Sequence, residues 1–252
     1  MQLLLLSAIF IGMLVLLRQI EVYSASKLAQ YGKYRLRYLT AFIGTPVHEI
    51  SHALLCVLAR HKIHEIKLLQ LNGNSQLGYV HHSYNPKSLY QQCGRFFIGS
   101  APIFGGLLTM AIVSKIVYPH YDFDHLVGSN QNQLLAISNI SDYLVIFIQN
   151  IRHSFGLYVE LFDQGSLKFI VWFFAMASIV CHISPSAADM KGAASGALFL
   201  TALLALLYFA ANIDIYSIAL LSISLLLSIL TLFFLVIVVY LLLLVVLAKL
   251  LP

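Results

Sequence analysis

Residues 45–55 have the sequence TPVHEISHALL, which places an HExxH motif inside apolar sequence. On a helix, residues four apart lie on the same face, so His48 and His52 can turn imidazole nitrogens toward one metal ion. Glu49 follows the first histidine directly and can reach a metal-bound water as a general base. At this composition a chance match has a probability on the order of one in a hundred. The motif therefore predicts a metal centre on a helix.

The rest of the chain has the composition of an integral membrane protein. Of its 252 residues, 60% are hydrophobic and 10% are charged, and the mean hydropathy is +0.86. Apolar runs recur at lengths near the about 20 residues that a helix needs to cross a bilayer. No linker composition divides the chain. We therefore expect an all-α polytopic membrane protein that forms a single domain over residues 1–252, with about six transmembrane helices.

Two of the predicted spans precede and contain the motif. The first covers residues 1–17 and ends near Arg18; it lacks the basic residues that precede the apolar region of a signal peptide. The second covers residues 38–60. Thr45 before Pro46 is a helix-start signal, so we expect Thr45 to cap a second helical part and the span to be kinked or divided.

Four further spans are predicted after the motif, at about residues 95–118, 168–188, 193–212 and 215–251. The third span contains glycine, serine and proline, and small residues of this kind let helices approach closely. The last has no glycine or proline to mark a turn. We interpret it as one tilted helix, with two shorter spans as the alternative.

Two segments between the spans have other patterns. After Arg60, two short β-like runs on either side of Asn72-Gly73 predict a small β-hairpin, whose edge could pair with an unwound peptide. Its histidines, His64, His81 and His82, lack ligand spacing and are predicted to be interfacial loop residues. Residues 134–162 mix apolar and polar positions in the manner of an interfacial helix.

The net charge indicates which class of binding partner to expect. The net charge of +5 is modest and spread over loops, which favours the lipid bilayer as a partner and argues against nucleic acid.

The three cysteines, Cys56, Cys93 and Cys181, imply no disulfide framework. Cys56 lies four residues after His52 and would continue its helical face. It is interpreted as a small buried hydrophobe, with a metal ligand as the alternative.

A catalytic zinc needs three protein ligands and one open position, and the motif supplies only two. Asp189 is the only carboxylate between Asp163 and Asp214, and an unpaired charge beside a long apolar stretch is costly. Asp189 is therefore the predicted third ligand. His182, Cys56 and Glu160 are the competitors, and His182 is the most serious because imidazole suits zinc well.

Over roughly residues 38–200, the chain resembles the M50 family of intramembrane zinc metalloproteases, the site-2 protease group. The resemblance rests on HEISH in an early span, a hairpin-like loop after it, a third span with glycine, serine and proline, and Asp189 late in a subsequent span. It implies Zn²⁺ held by His48, His52 and Asp189, with Glu49 as the catalytic residue. It also implies a transmembrane or membrane-tethered protein substrate and a multi-pass location in a bacterial cell membrane.

The second motif departs from the family pattern. Residues 184–192 read SPSAADMKG, whereas the family has an asparagine- and proline-rich stretch that ends in Leu-Asp-Gly. The glycine after the aspartate and the upstream asparagine are both missing. His182 stands near the place of that asparagine, where it could contact the oxyanion or the substrate, or be merely structural.

Two functions are compatible with these residues. The first is a zinc-dependent intramembrane endopeptidase, in which Glu49 assists the attack of a zinc-bound water on a membrane-protein substrate. The alternative is a catalytically inactive family member that acts as a membrane binding or scaffold protein. The intact Glu49 favours the enzyme, because a purely structural zinc site does not need it.

The distribution of charge predicts the orientation in the membrane. Residues 60–95 carry five basic residues against Glu65, whereas residues 119–167 are acidic. The positive-inside tendency then places the first loop and the N-terminus in the cytoplasm and the second loop outside, although the basic connection 18–37 would also lie outside.

We predict that a variant whose only cysteine is at position 124 reacts with an impermeant thiol reagent from the outside. Labelling from the cytoplasm would contradict this orientation.

Overall fold

The computed structural model describes residues 2–71, 76–211 and 214–250, and most of them are helical. A short 3-10 helix, Tyr34–Arg37, precedes the second helix. The elements in chain order are α1 Gln2–Gln30, α2 Tyr38–Leu58, β1 Lys62–Lys67, β2 Tyr79–Ser83, α3 Leu89–Val117, α4 Phe123–Leu135, α5 Ile140–Asp163, α6 Ser166–Val180, α7 Ala187–Ala211 and α8 Ile215–Leu250.

Within the described ranges, five helices are long and apolar enough to cross a membrane: Gln2–Gln30, Arg35–Leu58, Leu89–Val117, Ala187–Leu206 and Ile215–Leu250. The predicted span at 168–188 is not among them. The helix there, α6, has 15 residues, or roughly 22 Å at about 1.5 Å per residue, which is short of the hydrocarbon core. It ends at Val180, with Cys181 as its C-cap, and Pro185 disfavours helical backbone at Ser184.

The first helix is longer than predicted. Instead of ending near Arg18, α1 continues to Gln30. Its buried face extends through Leu17 and Leu28, and Glu21 forms an ion pair with Arg37 at 2.7 Å. Packing and the ion pair therefore keep residues 18–30 helical.

The second span, predicted to be kinked or divided, is not divided. α2 runs without interruption from Tyr38 to Leu58 with Pro46 inside it. Thr45 does not act as an N-cap, since its buried hydroxyl has no hydrogen-bond partner among the described residues. Proline removes one backbone hydrogen bond, to the carbonyl of Phe42. Packing of α2 against α3 and α6 holds both halves in one helix.

The core lies where α1, α3, α5, α6 and α8 meet. Trp172 is fully buried there and donates its indole N–H to Ser114 Oγ at 3.0 Å. α8 is a single helix of 36 residues, as predicted. It packs along α1, α4 and α5, so the apolar C-terminal stretch provides one wall of the bundle.

The predicted helix at 134–162 corresponds mainly to α5, which begins at Ile140 and ends at Asp163. α4 ends at Leu135, and α5 begins after Asn139, whose side chain accepts a hydrogen bond from the backbone N–H of Asp142 at 2.9 Å. This N-cap starts a new helix and explains the break. α5 buries one side, including Tyr143 and Leu157, and exposes the other. Its placement at a membrane surface stays a prediction.

The sheet agrees with the predicted hairpin. β1 and β2 pair antiparallel, with Lys62 opposite Ser83 and Lys67 opposite Tyr79. The predicted turn, residues 72–75, lies outside the described residues. The sheet connects the end of α2 to the start of α3, so it lies beside the HEISH residues.

Gly99 allows α3 to approach α7 closely. A Cβ atom at Gly99 would collide with the carbonyl oxygen of Asp189 and would lie 2.7 Å from the backbone nitrogen of Ala193. The small residues of the third span therefore permit close helix packing, as predicted. This contact fixes the start of α7, which carries Asp189.

We predict that Gly99→Ala destabilises the protein by about 1–3 kcal/mol, because the added methyl group must push α7 away from α3. Gly12→Ala is the matched control, since nothing lies within 4 Å of a Cβ at that position of α1. Thermal unfolding of the two variants in detergent measures the difference. Equal midpoints would show that the α3–α7 contact does not constrain the fold.

Candidate metal centre

The HEISH face of α2 brings two imidazoles together. The Nε2 atoms of His48 and His52 lie 3.1 Å apart, and the ring centroids are separated by 4.9 Å. This is the geometry expected for histidines four residues apart on one helix face. The two nitrogens face a common point.

Backbone carbonyls hold the opposite ring nitrogens. His48 Nδ1 lies 2.6 Å from the carbonyl oxygen of His182, and His52 Nδ1 lies 2.7 Å from that of Ile98. A carbonyl only accepts hydrogen bonds, so each Nδ1 carries a proton and donates it. In the neutral rings, both Nε2 atoms then present lone pairs. Metal-binding histidines have this arrangement of outer partners.

Asp189 joins the two histidines from the first turn of α7. Its Oδ1 atom is 3.4 Å from His52 Nε2, and its Oδ2 atom is 3.7 Å from His48 Nε2. Its position is set by a reciprocal cap with Ser186. The Ser186 N–H donates to Asp189 Oδ2 at 2.7 Å, and the Asp189 N–H donates to Ser186 Oγ at 3.2 Å.

Two lone pairs and a carboxylate in contact repel one another unless a proton or a metal ion lies between them. Ligand atoms about 2.0–2.1 Å from a tetrahedral zinc are separated from each other by about 3.3 Å. The distances of 3.1, 3.4 and 3.7 Å are close to this value. The donor set of two imidazoles and one carboxylate therefore fits Zn²⁺ with one position left open.

Glu49 and the three candidate ligands line one cavity of about 600 Å³. Glu49 is 6% exposed and lies within electrostatic reach of both histidines and Asp189. The backbone at Gly78 covers it, since a Cβ there would lie 2.7 Å from Glu49 Cγ. The sequence analysis missed Gly78, although a glycine beside a strand can mark such a close approach.

Charged residues on other walls of the cavity were also missed as site residues. Arg18, Glu21, Arg37 and Arg95 all line it. In the sequence they are separated from the HEISH residues, and none of them was predicted to lie at the site. The fold brings them to the cavity that holds the candidate centre.

The side chains of the competing third ligands do not belong to the group of His48, His52 and Asp189. His182 Nδ1 lies 3.1 Å from the carbonyl oxygen of Ser178, and its Nε2 is buried without a hydrogen-bond partner among the described residues. Its carbonyl, rather than its ring, contacts His48. Glu160 lies on α5, and Cys56 belongs to a different group of side chains. The role of His182 toward an oxyanion or substrate stays a prediction.

The hairpin histidines divide into two kinds. His64 and His81 are exposed; His64 Nε2 is 2.7 Å from Ser83 Oγ, and His81 stacks on Tyr79. His82 instead faces His61, with their Nδ1 atoms 3.1 Å apart. Burial lowers the pKa of both His61 and His82, so both rings are neutral at pH 7. The sequence analysis did not single out His61.

The three cysteines are free thiols and are buried. Burial was predicted for Cys56.

Comparison of the chain with models of known families, with curated proteins and with solved structures finds no match. Membership of the M50 family therefore stays a prediction that rests on the motifs themselves.

We predict that Asp189→Ala lowers the zinc content by about one equivalent per chain, because a site with two imidazoles alone holds zinc weakly. His182→Ala should retain this zinc, since the carbonyl that orients His48 belongs to the backbone. Metal analysis of both purified variants tests the assignment. Loss of zinc from His182→Ala with retention in Asp189→Ala would make His182 the ligand.

Proposed function

We propose that the chain is a zinc-dependent endopeptidase that cleaves a peptide bond of a membrane-protein substrate within or near the membrane. The observation that carries the proposal is the convergence of two imidazole lone pairs and the Asp189 carboxylate beside Glu49 in one cavity. The five apolar helices support a membrane location. A carboxylate base next to a three-ligand zinc site is the arrangement of metal-dependent peptide hydrolysis.

Zn²⁺ bound by His48, His52 and Asp189 would supply Lewis acidity, which lowers the pKa of a water toward about 7 and polarises a carbonyl. Glu49 accepts a proton from the attacking water at its carboxylate. The water oxygen forms a bond to the scissile carbonyl carbon. Glu49 then returns the proton to the amide nitrogen as the carbon–nitrogen bond breaks. One proton thus moves from water to the leaving amine.

The cavity also supports a peptide substrate. Residues Tyr79 to His82 of β2 line it together with the HEISH residues, so an extended peptide can lie between the strand and α2. A helical substrate must unwind to expose its carbonyl to Glu49. We infer that the substrate contains helix-breaking residues near the cut, and that strand addition to the sheet holds it.

The rival function, a scaffold without catalytic activity, depends on Glu49. A scaffold needs the ligands for its fold and has no use for a buried carboxylate beside them. Glu49 is 6% exposed and lies under the backbone of Gly78. Burial of an ionisable side chain is costly, and a catalytic role for Glu49 accounts for that cost, which favours the enzyme.

We predict that Glu49→Gln lowers turnover by at least about 10²-fold while zinc content and folding stay the same, because the change removes the base and keeps the ligands. Glu65→Gln is the matched control: Glu65 is exposed on β1, where it accepts a hydrogen bond from Tyr79 Oη at 2.7 Å. Quantitative comparison of membrane-protein fragments in cells that express each variant measures the effect. Undiminished cleavage by the Glu49→Gln variant would remove the proposed mechanism.

A further inference from the structure

A second group of metal-binding side chains lies where α2 ends. The sulfur of Cys56 and one ring nitrogen each of His61 and His82 lie within 4.8 Å of one another. Cys56 is fully buried, His61 is 5% exposed and His82 is half-buried. The three residues come from the last turn of α2, the turn after it and β2, so only the tertiary structure brings them together.

The backbone turns back sharply to place His61. The His61 N–H donates to the carbonyl of Cys56 at 2.8 Å, and the Arg60 N–H donates to that of Val57 at 3.0 Å. These two bonds form a Schellman motif, in which Arg60 has a left-handed conformation with φ of 57°. Glycine is the usual residue in that conformation. The left-handed conformation of Arg60 is therefore unfavourable for a residue other than glycine. It places His61 beside the last turn of α2.

The His61 imidazole has the arrangement seen at His48 and His52, with a backbone carbonyl behind the ring. His61 Nε2 lies 2.8 Å from the carbonyl oxygen of Gln91, so it carries the proton and leaves Nδ1 as a lone pair. That Nδ1 faces His82 Nδ1 at 3.1 Å, close to the about 3.3 Å between two nitrogens on a tetrahedral zinc. A carbonyl behind a histidine ligand is a regular feature of metal sites.

The identity of the donors indicates the ion. A thiolate with two imidazoles suits Zn²⁺, whereas Mg²⁺ and Ca²⁺ prefer oxygen ligands. His82 also lines the 600 Å³ cavity, so water can complete the coordination. Cys56 packs against Ala59 and Ile98. This apolar packing explains the burial of the sulfur. The two facing ring nitrogens need either a metal ion or an N–H···N hydrogen bond between them, and a third donor atom, the sulfur of Cys56, within 4.8 Å favours the metal.

We propose that Cys56, His61 and His82 form a second zinc site, distinct from the HEISH centre. Zinc there would tie β2 to the end of α2. Residue 78, whose backbone covers Glu49, lies just before β2. The second metal would therefore be structural, holding the sheet in place above the cavity.

Zinc content and cobalt spectra of the full chain in detergent test this proposal. The wild type should bind two zinc ions per chain, and the Co²⁺-loaded protein should show a sulfur-to-cobalt charge-transfer band in the near ultraviolet, because Cys56 is a ligand. His82→Ala should lose the band and one zinc. His81→Ala, a change at the exposed neighbour on the same strand, should keep both. Cys56→Ser should lose the band, and Cys93→Ser should keep it.

The double variant His48→Ala/His52→Ala separates the two centres. It should retain the charge-transfer band and one zinc, whatever the outcome for peptide cleavage. If Cys56→Ser does not fold, the His82→Ala variant still tests the proposal. The His82 side chain is only half-buried, so we expect its removal to be tolerated. Absence of the band from the wild type, or its retention in His82→Ala, would overturn the proposal and leave an N–H···N hydrogen bond between His61 and His82.

Discussion

The mutual repulsion of two imidazole lone pairs beside a carboxylate is the constraint on which the structure around HEISH depends. His48 and His52 point their Nε2 atoms at each other across 3.1 Å, and Asp189 lies next to both. Their other ring nitrogens are held by carbonyls, so rotation of either ring would break a hydrogen bond. A cation between the three groups converts this repulsion into attraction.

Separate parts of the fold each contribute one element of this arrangement. α2 supplies the imidazoles and Glu49, and α3 supplies the carbonyl of Ile98. The connection between α6 and α7 supplies both the carbonyl of His182 and the Ser186 cap that holds Asp189. Because α6 ends at Val180, the chain can turn there and bring these groups to α2. A longer helix would lack the turn that presents a carbonyl and a capped carboxylate to α2.

Much of the site could be predicted from local sequence, because HEISH needs only helical periodicity to place its residues. The same holds for α8, whose long apolar sequence contains no breaker, and for the alternating strands of the sheet. Tertiary contacts decided the rest. Pro46 stays inside α2 because neighbouring helices hold both halves, and α1 passes Arg18 because Glu21 pairs with Arg37. The group of Cys56, His61 and His82 has no sequence signature, since β2 joins it only through the sheet.

The most direct measurement of the central claim is an anomalous difference map at the zinc absorption edge, from crystals of the full chain grown with zinc. A peak is expected about 2.0–2.2 Å from His48 Nε2, His52 Nε2 and one carboxylate oxygen of Asp189. Zinc-loaded crystals with no anomalous peak between these three residues would contradict the account.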